Sequence, residues 1–160
     1  MRRKYRTRST PRRHGILQKP LKPEEALQAS FVSTLALLQP KALYFHIPNG
    51  GARTAAEGII FKMVGVRPGV FDFQFLYRNA QTLFLEFKVP PNDLTDTQQE
   101  FGKLLTNLSI PWTVATTVDQ AICFLIFHGI EFEKPEFLTS ILPDHLEQLR
   151  RTHEQRTRYL

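Results

Sequence analysis

Phe71-Asp72-Phe73-Gln74-Phe75-Leu76-Tyr77 and Thr82-Leu83-Phe84-Leu85-Glu86-Phe87-Lys88-Val89 are separated by Arg78-Asn79-Ala80-Gln81. In the first run Phe71, Phe73, Phe75 and Tyr77 alternate with Asp72, Gln74 and Leu76, which is the period of a β-strand. In the second, Leu83, Leu85, Phe87 and Val89 alternate with Thr82, Phe84, Glu86 and Lys88. With a turn between them, the two runs predict an antiparallel hairpin. Each strand has one strongly apolar face, on which Phe71 continues the stripe, and one face that carries charge. Asp72 and the pair Glu86 and Lys88 can share the second face.

Outward from the hairpin, the pattern is mixed. Pro23-Glu24-Glu25 opens a helix, with acids in the first turn where the helix dipole favours them. Leu27, Phe31, Leu35 and Leu38 recur at helical spacing, and the helix stops before Pro40. Residues 43–47 read as a short strand, and Pro48-Asn49-Gly50-Gly51 forces a turn. Thr54 and Glu57 form a capping box for a second helix reaching about Val64, which Gly65, Pro68 and Gly69 break. Pro90-Pro91-Asn92 interrupts the second hairpin strand. Thr95 caps a third helix through about Leu108, with Gln98, Phe101, Leu104, Leu105 and Leu108 as its buried stripe. Residues 112–116 read as a strand and 118–127 as a helix. The order helix–strand–helix–strand–strand–helix–strand–helix predicts a mixed α/β domain.

Charge divides the chain. Of its 160 residues, 1–22 hold nine Lys or Arg and no acid, whereas 23–160 hold twelve basic and fifteen acidic residues. An arm with Arg2, Arg3, Lys4, Arg6, Arg8, Arg12 and Arg13 can neutralise phosphates by displacing counterions. Its blander reading is a solvated tail that aids solubility. An organelle transit peptide has a similar composition, but charge this dense is not spaced like an amphipathic helix. The single cysteine, Cys123, excludes an internal disulfide and a Cys-based zinc site, and reads as a buried core residue in a reducing compartment. No stretch approaches the ~20 apolar residues of a membrane helix. The expectation is a soluble, cytoplasmic protein with no membrane partner.

An Asp beside a Glu-x-Lys has chemical meaning. Phosphodiester hydrolysis needs a divalent cation to polarise phosphate and to make hydroxide from water near neutral pH. Magnesium prefers oxygen ligands and uses one or two carboxylates plus waters. Asp72 and Glu86 can supply the carboxylates, and the backbone carbonyl of Phe87 a third oxygen. Lys88, two residues from Glu86, points the same way and can orient or deprotonate the attacking water, or steady the developing charge. Glu-x-Lys is common by chance, and most copies are solvated ion pairs. Here it sits inside the hydrophobic run 83–89, where charge costs solvation energy unless paired or on a metal.

Four ordered strings, His46-Ile47-Pro48-Asn49-Gly50-Gly51-Ala52-Arg53, Lys62-Met63-Val64-Gly65-Val66-Arg67-Pro68-Gly69-Val70-Phe71-Asp72, Leu85-Glu86-Phe87-Lys88 and Leu94-Thr95-Asp96-Thr97-Gln98, resemble the VRR-NUC nuclease domain. That domain is a branch of the restriction-endonuclease-like PD-(D/E)xK superfamily. The resemblance covers roughly residues 23–127, leaving 1–22 as a basic arm and 128–160 as an extension with a surface helix over residues 144–159. It implies a restriction-endonuclease-like fold, a central mixed sheet flanked by helices, and Mg²⁺- or Mn²⁺-dependent hydrolysis of DNA. By the same resemblance Asp72 and Glu86 are metal ligands, Lys88 is the catalytic lysine, and Gln98 positions the lysine or the phosphate. Gln98 also reads as a plain helix-surface amide. An acid on the first helix is implied to act through water. Glu24 fits best, since Leu27, Gln28 and Phe31 follow at the usual offsets, with Glu25 as the alternative and a simple dipole role for either. Asn49, Gly50, Gly51 and Arg53 are expected at the edge of the site, where bare glycine backbone and a bidentate Arg can grip phosphate. Their plainer reading is a tight turn and a surface Arg. His46 lines the pocket or packs in the core, and is not expected to bind metal. Similar small proteins act on four-way junctions or other branched DNA as homodimers. The chain departs from the family at Phe71, where a Pro is usual, and at Pro90-Pro91-Asn92, where a small basic loop is usual.

Overall fold

The computed structural model of the chain describes residues 20–48 and 55–142. The arm residues Arg2 to Arg13, the loop residues Asn49, Gly50, Gly51 and Arg53, the Thr54 cap and the helix expected over 144–159 lie outside the described residues.

Helix α1 (Pro23–Leu38) begins with Pro at a position whose missing N–H costs nothing, and Lys22 N donates to Glu25 Oε2 at 2.9 Å. It ends where Gln39 turns left-handed (φ 53°) and gives its N–H to the Leu35 carbonyl, just before Pro40. Strand β1 (Leu43–His46) and helix α2 (Ala55–Met63) follow, then the hairpin of β2 (Phe73–Tyr77) and β3 (Gln81–Phe87) across a 3₁₀ turn, Arg78–Ala80. Helix α3 (Asp96–Asn107), strand β4 (Trp112–Ala115) and helix α4 (Val118–Phe127) complete the expected order. A 3₁₀ turn (Pro135–Phe137) and the short helix α5 (Leu138–Ile141) come after it.

The four strands form one mixed sheet in the order β1-β2-β3-β4. The first three are antiparallel, pairing Phe75 with Leu83 and Phe73 with Leu85, and β4 runs parallel to β3. On one face Phe73, Phe75, Leu83, Leu85 and Phe87 pack under Phe31, Leu35 and Leu38 of α1 and Ala121, Ile122 and Leu125 of α4. The Phe31 ring meets Phe73 and Phe87 edge-on, with centroids 5.3 and 5.1 Å apart. On the other face Phe71, Phe84 and Leu105 form a second cluster with Phe101 and Trp112. Fold continues past residue 127. Lys41 N–H bonds to the Glu131 carbonyl, Glu133 N–H to that of Gln39, and Ile130, Phe132 and Leu142 enter the first core.

Three expectations are corrected, at Phe71, on α3 and at Cys123. Phe71 does not extend the Phe73–Phe75 stripe. The chain bends at Asp72, β2 starts at Phe73, and Phe71 turns into the opposite cluster against the ring of Trp112. The charge-bearing face of β3 is covered as well, because the parallel β3–α3–β4 crossover lays a helix over the side that holds Phe84 and Glu86. On α3 the buried residues are Gly102 and Leu105, while Leu104 and Leu108 are exposed. Leu104 lies about 120° round the helix from Gln98, off the stripe that 98, 101, 102 and 105 share. Cys123 is half-buried on α4 rather than buried. No helix among the described residues is long and apolar enough to cross a membrane.

Candidate active site

Asp72 is held at the bend by hydrogen bonds that run both ways across the hairpin. Its Oδ2 accepts the Phe87 N–H at 2.8 Å, its own N–H donates to Glu86 Oε2 at 3.1 Å, and its carbonyl accepts from Ile47 N at 2.7 Å. The carboxyls of Asp72 and Glu86 are thereby fixed side by side. Glu86 Oε1 takes Lys88 Nζ at 2.8 Å and the side-chain amide of Gln98. Glu86 is 1% exposed and Lys88 9%, so their pairing is screened little by water. Every buried side-chain nitrogen and oxygen among the described residues has a hydrogen-bond partner, which is the condition under which a core tolerates such groups.

Burial raises the Asp72 pKa, against the pull of the Phe87 N–H, Gln28, His46 and Lys88. Glu86 is pushed up to about 7, first by burial and next by the negative charge of Asp72, although Lys88 and the Asp72 N–H pull it down.

These groups open into a cleft of about 620 Å³ between α1, the end of β1, the turn before β2 and the start of α3. Asp72, Glu86, Lys88, Gln98, Glu24 and His46 all line it, so the structure brings together the expected site residues that it describes. Phe87 stands between Glu86 and Lys88 at the end of β3, with its N–H on Asp72. Glu24 and Glu25 differ in use. Glu25 closes the start of α1 on Lys22, whereas Glu24 Oε1 accepts from Asn92 Nδ2 at 3.4 Å, joining α1 to the loop after β3. His46 is exposed on the cleft rim, its ring edge-on to Phe73 at 5.1 Å.

Gln28, Lys22, Thr95 and Thr97 line the same cleft, beyond the site residues expected from the sequence. Gln28 had a signal: it follows Glu24 by four residues, hence shares its helix face, and its side chain hydrogen-bonds Asp72. The two carboxyls are thus each held by one backbone N–H and one glutamine amide from a different helix.

The donor set is oxygen-rich and free of sulfur, and its two adjacent carboxyls are countered by one ammonium. That suits a hard divalent cation such as Mg²⁺ or Mn²⁺. Among the described residues no three His, Cys, Asp or Glu side chains converge, so such a cation would take two carboxylates and complete its shell with backbone oxygen and water. Comparison of the chain with protein-family profiles, with curated proteins and with solved structures found no match in any of the three.

Proposed function

We propose that the chain is a Mg²⁺- or Mn²⁺-dependent DNA endonuclease of the VRR-NUC, restriction-endonuclease-like kind. The observation that carries this reading is the convergence of Asp72, Glu86 and Lys88 in one cleft, with Lys88 Nζ 2.8 Å from Glu86. Asp72, Glu86 and the Phe87 carbonyl would hold the cation, and Glu24 would reach it through water. When bound, the cation supplies Lewis-acid polarisation of the phosphoryl oxygen. Lys88 presents a positive charge, held by Glu86, to the phosphate that enters the cleft, and stabilises the negative charge that grows there. Gln98 and Gln28 donate to the carboxyls without cancelling their charge, so they orient the site and leave it attractive to a cation.

The substrate would be duplex or branched DNA, four-way junctions included, cut by a homodimer in the cytoplasm. Asn49, Gly50, Gly51 and Arg53, and the arm residues Arg2, Arg3, Lys4, Arg6, Arg8, Arg12 and Arg13, would grip phosphates and carry no sequence information. Cleavage of labelled duplex, single strand, flap and four-way junction with Mg²⁺, Mn²⁺ or EDTA tests this, for wild type, Lys88→Ala and a chain lacking residues 1–22. Metal-dependent cutting is expected in wild type, with a loss of about 10²–10⁴-fold in Lys88→Ala. The shortened chain should bind more weakly, show a shallower salt dependence and still cut. Binding without cutting under any metal would replace this reading with a non-catalytic DNA-binding protein.

A further inference from the structure

Gln98 does two jobs with the two ends of one amide. It is the third residue of α3, where its Oε1 accepts the Thr95 N–H at 3.0 Å and its own N–H donates to Thr95 Oγ1 at 3.4 Å. This is a reciprocal capping box. The other end, Nε2, donates to Glu86 Oε1. A backbone N–H can only donate, so Thr95 selects the oxygen end of the amide and turns the nitrogen end toward Glu86. The Thr95 hydroxyl, 3.2 Å from the same oxygen, reinforces the choice. Glutamate at position 98 would cap the helix equally well, but would meet Glu86 with an acceptor instead of a donor.

A second contact fixes the same turn of helix. Gly69 has φ +77°, and a Cβ there would lie 2.3 Å from the Thr97 carbonyl oxygen and 2.8 Å from Gln98 N. The backbone of the turn before Asp72 therefore presses directly on the first turn of α3. Gly69, Thr95, Thr97 and Gln98 all line the cleft.

We propose that the start of α3 is a positioning device for Glu86. Thr95 and Gly69 are positioning residues. They hold the Gln98 amide where it keeps one Glu86 oxygen on Lys88 and leaves the other to the Asp72 N–H. The catalytic consequence rests on the nuclease reading above, whereas the coupling between Thr95 and the amide does not.

The full chain would be compared as wild type, Thr95→Ser, Thr95→Ala and Gln98→Glu in three measurements. These are thermal unfolding, hydrogen exchange of the Gln98 side-chain amide by NMR, and Mn²⁺-dependent cleavage of a labelled duplex and four-way junction. Gln98→Glu identifies the amide signals by removing them. It keeps the cap but sets a third carboxylate against buried Glu86, so it should lower the melting temperature of the metal-free protein and lose about 100-fold in kcat with KM within about twofold. Thr95→Ala should speed amide exchange about tenfold as its local hold is lost. It should lower kcat about tenfold from the misplaced amide. Thr95→Ser should restore both. Gln98→Glu cutting as fast as wild type, or amide exchange unmoved in Thr95→Ala, would overturn the proposal. A wild type that cuts nothing under Mg²⁺ or Mn²⁺ removes the nuclease reading, and the amide exchange then decides the positioning role by itself.

Discussion

Glu86 accepts three donors and meets almost no water, and that environment sets its proton affinity. Its pKa rises from 4.5 to about 7 because burial and the Asp72 charge outweigh Lys88 and the Asp72 N–H. The folded chain therefore binds this proton more tightly than the unfolded chain does. Its contribution to stability is full below about pH 4.5 and is lost as pH rises through about 7. At about 1.36 kcal/mol per pKa unit, the loss is on the order of 3 kcal/mol in metal-free protein. Urea midpoints from pH 4.5 to 8 should fall across this window in wild type and change much less in Glu86→Gln. An equal slope in the variant would assign it to other groups. The sequence marks Glu86 and Lys88 as neighbours on a strand face, since residues two apart point the same way. Nothing local says that the face is closed over, or that Gln28 reaches Asp72 from a helix more than forty residues away.

Element boundaries were largely legible, because their signals are local. Pro23 and Pro40 bracket α1, Thr95 caps α3, and the aromatic alternation marks the hairpin. Which helix face is buried was less legible. On α3 a reading by hydrophobicity favours Leu104 and Leu108, yet the helix buries Gly102, because the Trp112 ring needs the space that a side chain would fill. The turn before β2 shows the same dependence on a distant partner. Gly65 and Gly69 both have positive φ, but open space surrounds a Cβ at Gly65, whereas one at Gly69 would strike the α3 backbone. Gly65→Ala should cost about 1–2 kcal/mol, the left-handed penalty alone. Gly69→Ala should cost about 2–4 kcal/mol, since the turn or helix α3 must also shift. Thermal unfolding of the two variants separates the terms, and equal losses would show that the α3 contact adds nothing.

At the scale of the whole molecule, one group of exposed apolar residues lies on α2 and the turn that follows it. Ile59, Ile60, Met63 and Val64 are all exposed, Met63 to 81%, and the pairs 59/63 and 60/64 share one helix face. Apolar groups gathered in this way mark a contact surface more often than scattered ones do. The proposed homodimer would use this face against its own copy, an isologous contact that closes on itself. Sedimentation velocity should show a dimer for wild type and a monomer for Ile60→Asp, with unchanged far-UV circular dichroism. A wild type that stays monomeric at high concentration would remove the dimer. The chain's own pattern determined the mixed α/β order, the hairpin and the shared placement of an acid pair with a lysine, because periods of 2 and 3.6 record which side of each element meets the core. Tertiary structure alone decided the face swap at Phe71, the second covered face of β3 and the junction of Gln28, Asp72, Glu86 and Gln98. Each of these depends on how distant segments pack, and no periodicity within a segment carries that information.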